Sequence, residues 1–224
     1  MERPALILAQ PPASQNGQAL DTGIASRSPQ CLPPEWIAGF PETEKEIGAY
    51  FDDHFSEQFE ITREILLKHP TGKKMRIDRM LKERNGEAGG LWGVELKRPL
   101  GDQDSFTCFS TSVAQAIDER ESRIESDFPG HKDWFNQQFR YVFIFPCLYR
   151  VYEFEAFPPM GIGESWAQGA LKLAGKFAVG AISYSARRRD WGFFVAGHPF
   201  YWLRRGLTDA AQKHHVGFRK GSAR

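Results

Sequence analysis

Hydrophobic and polar residues alternate most clearly over residues 90–98, where Trp92, Val94 and Leu96 share one parity and Glu95 and Lys97 share the other. Successive side chains of a strand point to opposite faces, so this spacing predicts a strand with an apolar face and an acid–lysine pair on the opposite face. Residues 74–84 make a second strand candidate, carrying Asp78, and Asn85-Gly86 between the two runs is a hairpin signal within a connection longer than two residues. Ile47, Phe51 and Phe55 recur at helical spacing behind Glu42, Glu44 and Glu46, acids that the dipole of a helix N-terminus favours, which predicts a helix over 41–56. Glu44 falls on the same stripe as Ile47 and Phe51 and is expected to face inward. Phe59, Ile61, Ile65 and Leu67 suit a strand, although so short a run also admits a helix, and His69-Pro70-Thr71-Gly72 makes a turn.

Further along, Gly101 to Ser105 reads as loop, and Val113, Ala116, Ile117 and Ile124 predict a helix over 110–126, capped by Ser110, Thr111 or Ser112. The continuous apolar run 140–146 reads as a buried central strand. Residues 148–157 suggest one more strand, 165–179 a packing helix with Trp166, Ala170, Leu173 and Phe177 on its stripe, and 191–197 another strand. Thr208 or Asp209 can cap a short helix ending near His215. Residues 1–34 are rich in Pro, Ser, Gln and Ala without periodicity and read as a flexible arm.

With 224 residues, 41% hydrophobic and 25% charged, the chain can bury one good core, so one main domain is expected. The apolar run Ala5 to Ala9 is too short for a secretory h-region, and no run approaches a membrane span. Three widely spaced cysteines, Cys31, Cys108 and Cys147, suggest neither a disulfide framework nor a zinc site, so a reducing, cytoplasmic setting is expected. The net charge of +1 conceals an asymmetry: residues 186–224 hold nine Lys or Arg against Asp190 and Asp209, a net of +7, which leaves −6 for residues 1–185. A basic end on an acidic body suits a protein that meets a polyanion at one part and holds cations at another, and it equally suits a solubilising tail. Phe200-Tyr201-Trp202-Leu203-Arg204-Arg205 interleaves aromatics with guanidinium groups, either to meet phosphates and exposed bases or as core aromatics beside a solvated edge. Gly161-Ile162-Gly163-Glu164-Ser165 lacks the Gly-Lys-Ser/Thr ending of a nucleotide loop, which excludes an NTP site of that type.

Asp78 and Glu95, one carboxylate from each of two adjacent strands 17 residues apart, with Lys97 alongside, make a candidate metal-dependent hydrolytic site. The order helix, strand, strand, strand, helix, strand, with Asp78 in the second strand and Glu95-Leu96-Lys97 in the third, resembles the PD-(D/E)XK nuclease superfamily over about residues 41–147. Ile77 stands where the motif's Pro would be. Gln115-Ala116-Ile117-Asp118 looks like the Gln-containing helix of several branches, without the tyrosine that often follows in the RecB-like branch. The resemblance implies an α/β fold with a restriction-endonuclease-like α-β-β-β-α-β core and mixed central sheet over 35–157. Residues 158–224 would then be a basic extension of strands and short helices packed on that core.

That resemblance also implies a Mg²⁺- or Mn²⁺-dependent phosphodiesterase acting on nucleic acid, with DNA the expected substrate. Asp78, Glu95 and the backbone carbonyl of Leu96 would bind the cation, and Lys97 would orient the attacking water and offset charge on the phosphate. Glu44, with Glu46 as the lesser candidate, and Gln115 are the further candidate site residues. Arg187, Arg188, Arg189, Arg204, Arg205, Lys213, Arg219 and Lys220 form the candidate nucleic-acid surface. No membrane partner is expected, and a homodimer, common among such nucleases, is left open. Two alternatives stand: a non-catalytic nucleic-acid-binding or assembly module of the same fold, and an unrelated protein with a chance triplet, which would show helix at 90–98.

Overall fold

A computed structural model describes residues 32–86, 89–98, 106–125, 132–148 and 162–208. In chain order the elements are α1 (Pro34–Ala38), α2 (Glu44–Phe55), β1 (Phe59–Lys68), β2 (Lys74–Glu83), β3 (Leu91–Leu96), α3 (Phe106–Glu121), β4 (Arg123–Ile124), β5 (Tyr141–Phe145) and α4 (Ile162–Ala174). Then follow β6 (Val179–Ser185), β7 (Asp190–Val195), β8 (His198–Trp202) and β9 (Gly206–Leu207). All the strands join one mixed sheet in the order β4-β1-β2-β3-β5-β6-β7-β8-β9, in which β3, β5 and β6 run parallel and the remaining neighbours pair antiparallel. The fold is therefore mixed α/β, with most of its regular structure in strands.

The sheet is curled. Six steps separate β1 from β8, about 29 Å in a flat sheet at about 4.8 Å per step. Yet Phe59 of β1 meets Tyr201 of β8 at 5.5 Å between ring centroids, and Trp92 of β3 meets both Phe200 and Tyr201 at 5.5 Å. A bulge in the β7–β8 ladder lies between Phe193 and Phe194, pairing Phe193 with Tyr201 and Phe194 with Pro199. Phe200 is the residue left over, so it and Tyr201 both reach the same core. That core, inside the curl, also takes Trp36, Ile47, Phe51 and Phe55 from the first two helices and Trp92, Val94 and Leu96 from β3. On the other sheet face Leu91, Ile77, Val142 and Ile144 pack with Phe109, Ala116, Ala167 and Leu171 beneath α3 and α4.

The alternation expected of 90–98 is present, with Trp92, Val94 and Leu96 in one core and Leu91 in the other. The face that carries Glu95 is also covered, and every residue of β3 is buried. Helix α2 starts at Glu44 because Thr43 caps it: its side chain accepts from the Glu46 backbone N–H while the Glu46 carboxylate accepts from Thr43. Helix α3 runs earlier than expected, ending at Glu121, and Ile124 belongs to β4 instead. In α4 the expected stripe is displaced: Ala167, Leu171 and Ala174 are buried at i, i+4 and i+7, whereas Leu173 and Phe177 are 59% and 47% exposed. The expected helix over 165–179 stops short, and Val179 opens β6, a strand of small and mixed residues that the sequence pattern does not announce.

Leu32, which the sequence pattern assigns to the arm, is buried against the core that holds Trp36. Residues 1–31, all but Leu148 of the strand expected over 148–157, and the helix from Asp209 lie outside the described residues. Among the described residues no helix is long and apolar enough to cross a membrane.

Candidate active site

A local fault in the sheet creates the site. In β1, Phe59 belongs to the inner core and Ile65 to the core beneath α3, although the two share parity; Leu81 and Ile77 of β2 divide the same way. The change of face falls at Glu64, whose φ is +55°, and Glu64 and Asp78 are the pair missing between Arg63↔Arg79 and Ile65↔Ile77. A non-glycine residue in this left-handed region is uncommon and costs free energy, so the neighbourhood holds it there. On the other side of β2, the ladder to β3 runs from Lys82↔Leu91 to Arg79↔Val94. Just past its end the Asp78 carboxylate takes the place of a ladder acceptor, with Oδ2 receiving the Leu96 backbone N–H at 2.8 Å. Asp78 thus reaches from β2 to the end of β3.

Arg79 stabilises this break. Its guanidinium donates to Asp52 of α2 at 2.7 and 3.2 Å and to the Asp78 backbone carbonyl at 2.9 Å. Arg63 joins Asp52 at 2.7 Å. The guanidinium passes directly over Gly48, where an added Cβ would come within 2.5 Å of Nη2. Asp52, Arg63 and Arg79, with Glu44, Lys45, Glu64, Asp78 and Leu96, line an open cleft of about 670 Å³.

Glu95 and Lys97 lie on the same end of β3 and meet α3. Lys97 Nζ donates to Glu95 Oε1 at 2.6 Å and to Gln115 Oε1 at 3.1 Å. Gln115 Nε2 in turn donates to Glu95 Oε1 at 2.5 Å and to Glu119 Oε1 at 2.9 Å. Gln115 and Glu119 are one helical turn apart, so α3 presents both to the strand. Glu95 is 4% exposed and Glu119 fully buried; no N–H donor reaches Oε2 of either, and the two carboxyl groups hydrogen-bond each other. Burial, and then the nearby Asp78 charge, raise the pKa of Glu95, while Lys97 opposes the rise. Burial and the Glu95 charge push Glu119 well above the usual carboxylate range, so Glu119 is neutral at pH 7. For Lys97, burial lowers the pKa, but the charge of Glu95 and its hydrogen bond, with Asp78 behind them, outweigh it, and the ammonium is held above the usual lysine value.

The structure thus brings Asp78, Glu95, Lys97 and Gln115 to one end of β3 and adds Glu119. The signal for Glu119 was its i+4 spacing from Gln115. Glu44 departs from expectation: it is exposed, on the first turn of α2, and lines the cleft with Asp78 rather than facing the core. Glu46 is occupied in the helix cap, which also receives the Glu42 N–H at 2.9 Å. Arg187, Arg188, Arg189, Arg204 and Arg205 are exposed, but Phe200, Tyr201 and Trp202 are buried, so those aromatics serve the cores and are not open for stacking on bases. Lys213, Arg219 and Lys220 lie outside the described residues.

Among the described residues no three His, Cys, Asp or Glu side chains are grouped to hold a metal ion. Mg²⁺ commonly takes only one or two carboxylates, completing its shell with water and phosphate, and the Glu95 carboxylate with the Asp78 charge beside it is a hard-oxygen donor set that suits such a cation. Comparison of the chain with protein-family models, with curated proteins and with solved structures finds no match.

Proposed function

We propose that the chain is a metal-dependent nuclease of PD-(D/E)XK type, hydrolysing phosphodiester bonds of nucleic acid, with DNA the expected substrate. The observation that carries this reading is the convergence of Asp78, Glu95 and Lys97 where β2 and β3 part, with the Glu95 carboxylate buried against Lys97 and α3. The succession α2-β1-β2-β3-α3-β5, broken only by the two-residue β4 before β5, with β3 and β5 parallel, supports a restriction-endonuclease-like core. Asp78, Glu95 and the Leu96 carbonyl would hold Mg²⁺ or Mn²⁺. When bound, the cation supplies Lewis-acid polarisation of the phosphate and lowers the pKa of a coordinated water.

The chain's own residues do the rest. Lys97, kept protonated by its acidic neighbours, is a poor general base and a good donor, so it orients the water and offsets charge developing on the phosphate oxygens. Gln115 fixes the direction of Lys97 by accepting a hydrogen bond from its ammonium through Oε1 and holds Glu95 through its amide N–H. Glu119, neutral, braces Gln115 without adding a charge that would compete with Glu95.

One observation favours the alternative of a non-catalytic module: the Glu95–Lys97–Gln115–Glu119 network is almost closed to solvent. A nuclease assay with Mg²⁺, Mn²⁺ or EDTA, run with Asp78→Ala and Lys97→Ala after both are shown to fold, separates the two. Metal-dependent cleavage abolished by both substitutions supports catalysis. Cleavage that survives both sinks the site, and salt-sensitive binding without cleavage favours the module.

A further inference from the structure

We propose that a second cleft, at the β4 edge of the sheet, binds a nucleotide unit, with an aromatic base stacked on Phe135 and its phosphate held by Lys68 and Arg123. The cleft measures about 570 Å³, a size that suits a small ligand, and Lys68, His69, Arg123, Phe135, Asn136 and Gln138 are among its lining residues. Four residues of β1, about 13 Å, separate Lys68 from Glu64 in the cleft that holds Asp78, so the two sites are distinct. The inference goes beyond the nuclease reading and does not depend on it.

Charge is the first observation. Lys68 stands directly opposite Arg123 on one neighbouring strand and opposite Lys74 on the other. Residues so paired share a sheet face with Cβ atoms about 4.5–5.5 Å apart, and like charges there repel. Three cations therefore form a row across β2, β1 and β4. Glu125 answers Lys74 at 3.6 Å, and Glu121 faces the His69 ring at 3.7 Å. Among the described residues, Lys68 and Arg123 form no ion pair, and the Arg123 guanidinium donates to the Asn136 backbone carbonyl at 2.9 Å. Both are exposed, so a phosphate can reach them, and its charge would offset their repulsion.

The second observation is the aromatic ring. Phe135 is 56% exposed beside Trp134, which is buried in the core beneath α3. The backbone holds it from both sides: the Phe135 N–H donates to the Lys132 carbonyl at 3.2 Å, and the Asn136 N–H donates to the Ile124 carbonyl at 2.9 Å. With Trp134 anchored inward, Phe135 is kept at the mouth of the cleft. A fixed aromatic face next to unanswered cations is the combination that stacks a base and pairs its phosphate. Gln138 donates Nε2 to the Glu121 backbone carbonyl at 2.8 Å, which leaves its Oε1, with the Asn136 side-chain amide, for the edge of the base.

Binding and stability measurements on the full chain test this, all in EDTA so that the outcome is independent of cleavage. Anisotropy of a fluorescein-labelled ten-nucleotide oligo(dT) compares the wild type with Phe135→Ala, Phe135→Tyr and Lys68→Glu. Phe135→Ala should weaken binding at least about fivefold, and Phe135→Tyr, which keeps the stacking face, should stay within about twofold of the wild type. Lys68→Glu should weaken binding and lower the salt slope by about 0.7–1.4, the equivalent of one or two phosphate contacts on a single strand. The same substitution places an acid opposite Arg123 and Lys74, so it should raise Tm by about 1–4 °C at low salt while binding is lost. Calorimetric titration with thymidine monophosphate separates the sources. Binding that depends on Phe135 and Lys68 assigns the site to a free nucleotide, and binding of oligo(dT) alone assigns it to a unit within a strand. Binding of neither ligand, or binding indifferent to Phe135→Ala, overturns the nucleotide site, and a Tm lowered by Lys68→Glu overturns the unanswered cation pair on which it rests.

Discussion

Replacing Gly48 by Ala places a methyl group against the Arg79 guanidinium, and the direction of the resulting stability change follows from competing magnitudes. Gly in a helix interior costs about 1 kcal/mol relative to Ala, so at an open position Gly48→Ala would stabilise α2. Here the new Cβ would stand 2.5 Å from Nη2 and 3.3 Å from Leu96 Cδ1. The guanidinium cannot swing aside freely, since Asp52 and the Asp78 carbonyl hold it on three bonds and Arg79 is mostly buried. Retreat by about an ångström sacrifices at least the Nη2–Asp52 bond, and hydrogen bonds to charged groups are worth about 1.5–3 kcal/mol. The net expectation is a loss of about 0.5–2 kcal/mol. At about 2–4 °C per kcal/mol for a chain of this size, calorimetry should show Tm lowered by about 1–8 °C. In an Arg79→Met background, with Asp52 still paired to Arg63, the same substitution should become stabilising. A rise in Tm on Gly48→Ala in the wild type, or the same change in both backgrounds, would refute the clamp.

Further outcomes concern the buried network and the fault in β1. Glu119 is held protonated in the fold but ionises above about pH 4.5 when unfolded, so its contribution is full below pH 4.5 and lost as pH rises. Glu119→Gln should flatten the fall in urea midpoint between pH 5 and pH 8 measured in EDTA; parallel curves for wild type and variant would contradict the assignment. Lys97→Met strands Glu95 without its cation and should cost about 3–5 kcal/mol at pH 7, with most of the loss recovered in Lys97→Met/Glu95→Gln, as equilibrium unfolding would report. Glu64→Val, despite the strand preference of valine, should lower Tm by more than Glu64→Gly does, because a β-branched residue tolerates φ near +55° poorly.

Local periodicity made β2, β3, β5 and α2 legible, as their apolar residues recur at strand or helix spacing with clear turn or cap signals between. Parity alone placed Trp92, Val94 and Leu96 on one face and Glu95 on the other. What parity could not reveal was that α3 covers the second face, since burial of a polar face depends on an element 20 residues away. The same limit hid Glu119, which on the sequence is one more acid on an amphipathic helix. The reversal at Glu64 was invisible for a different reason: nothing in Arg63-Glu64-Ile65 demands a positive φ, and it is the combined hold of Arg79, Asp52 and the β3 end that fixes it. Strand β6 was missed because Val-Gly-Ala-Ile-Ser-Tyr-Ser lacks alternation when both faces are buried. The buried roles of Phe200 and Tyr201 arise from the curl of the whole sheet, which no local window contains.

Titrating Mn²⁺ into the metal-free protein by calorimetry tests the shared-cation site most directly. One ion per chain is expected, with affinity reduced at least about tenfold by Asp78→Asn and by Glu95→Gln and unchanged by Asp53→Asn at an exposed position on α2. Binding that is indifferent to both Asp78→Asn and Glu95→Gln, or no binding at all, would contradict a site in which these two carboxylates hold one cation.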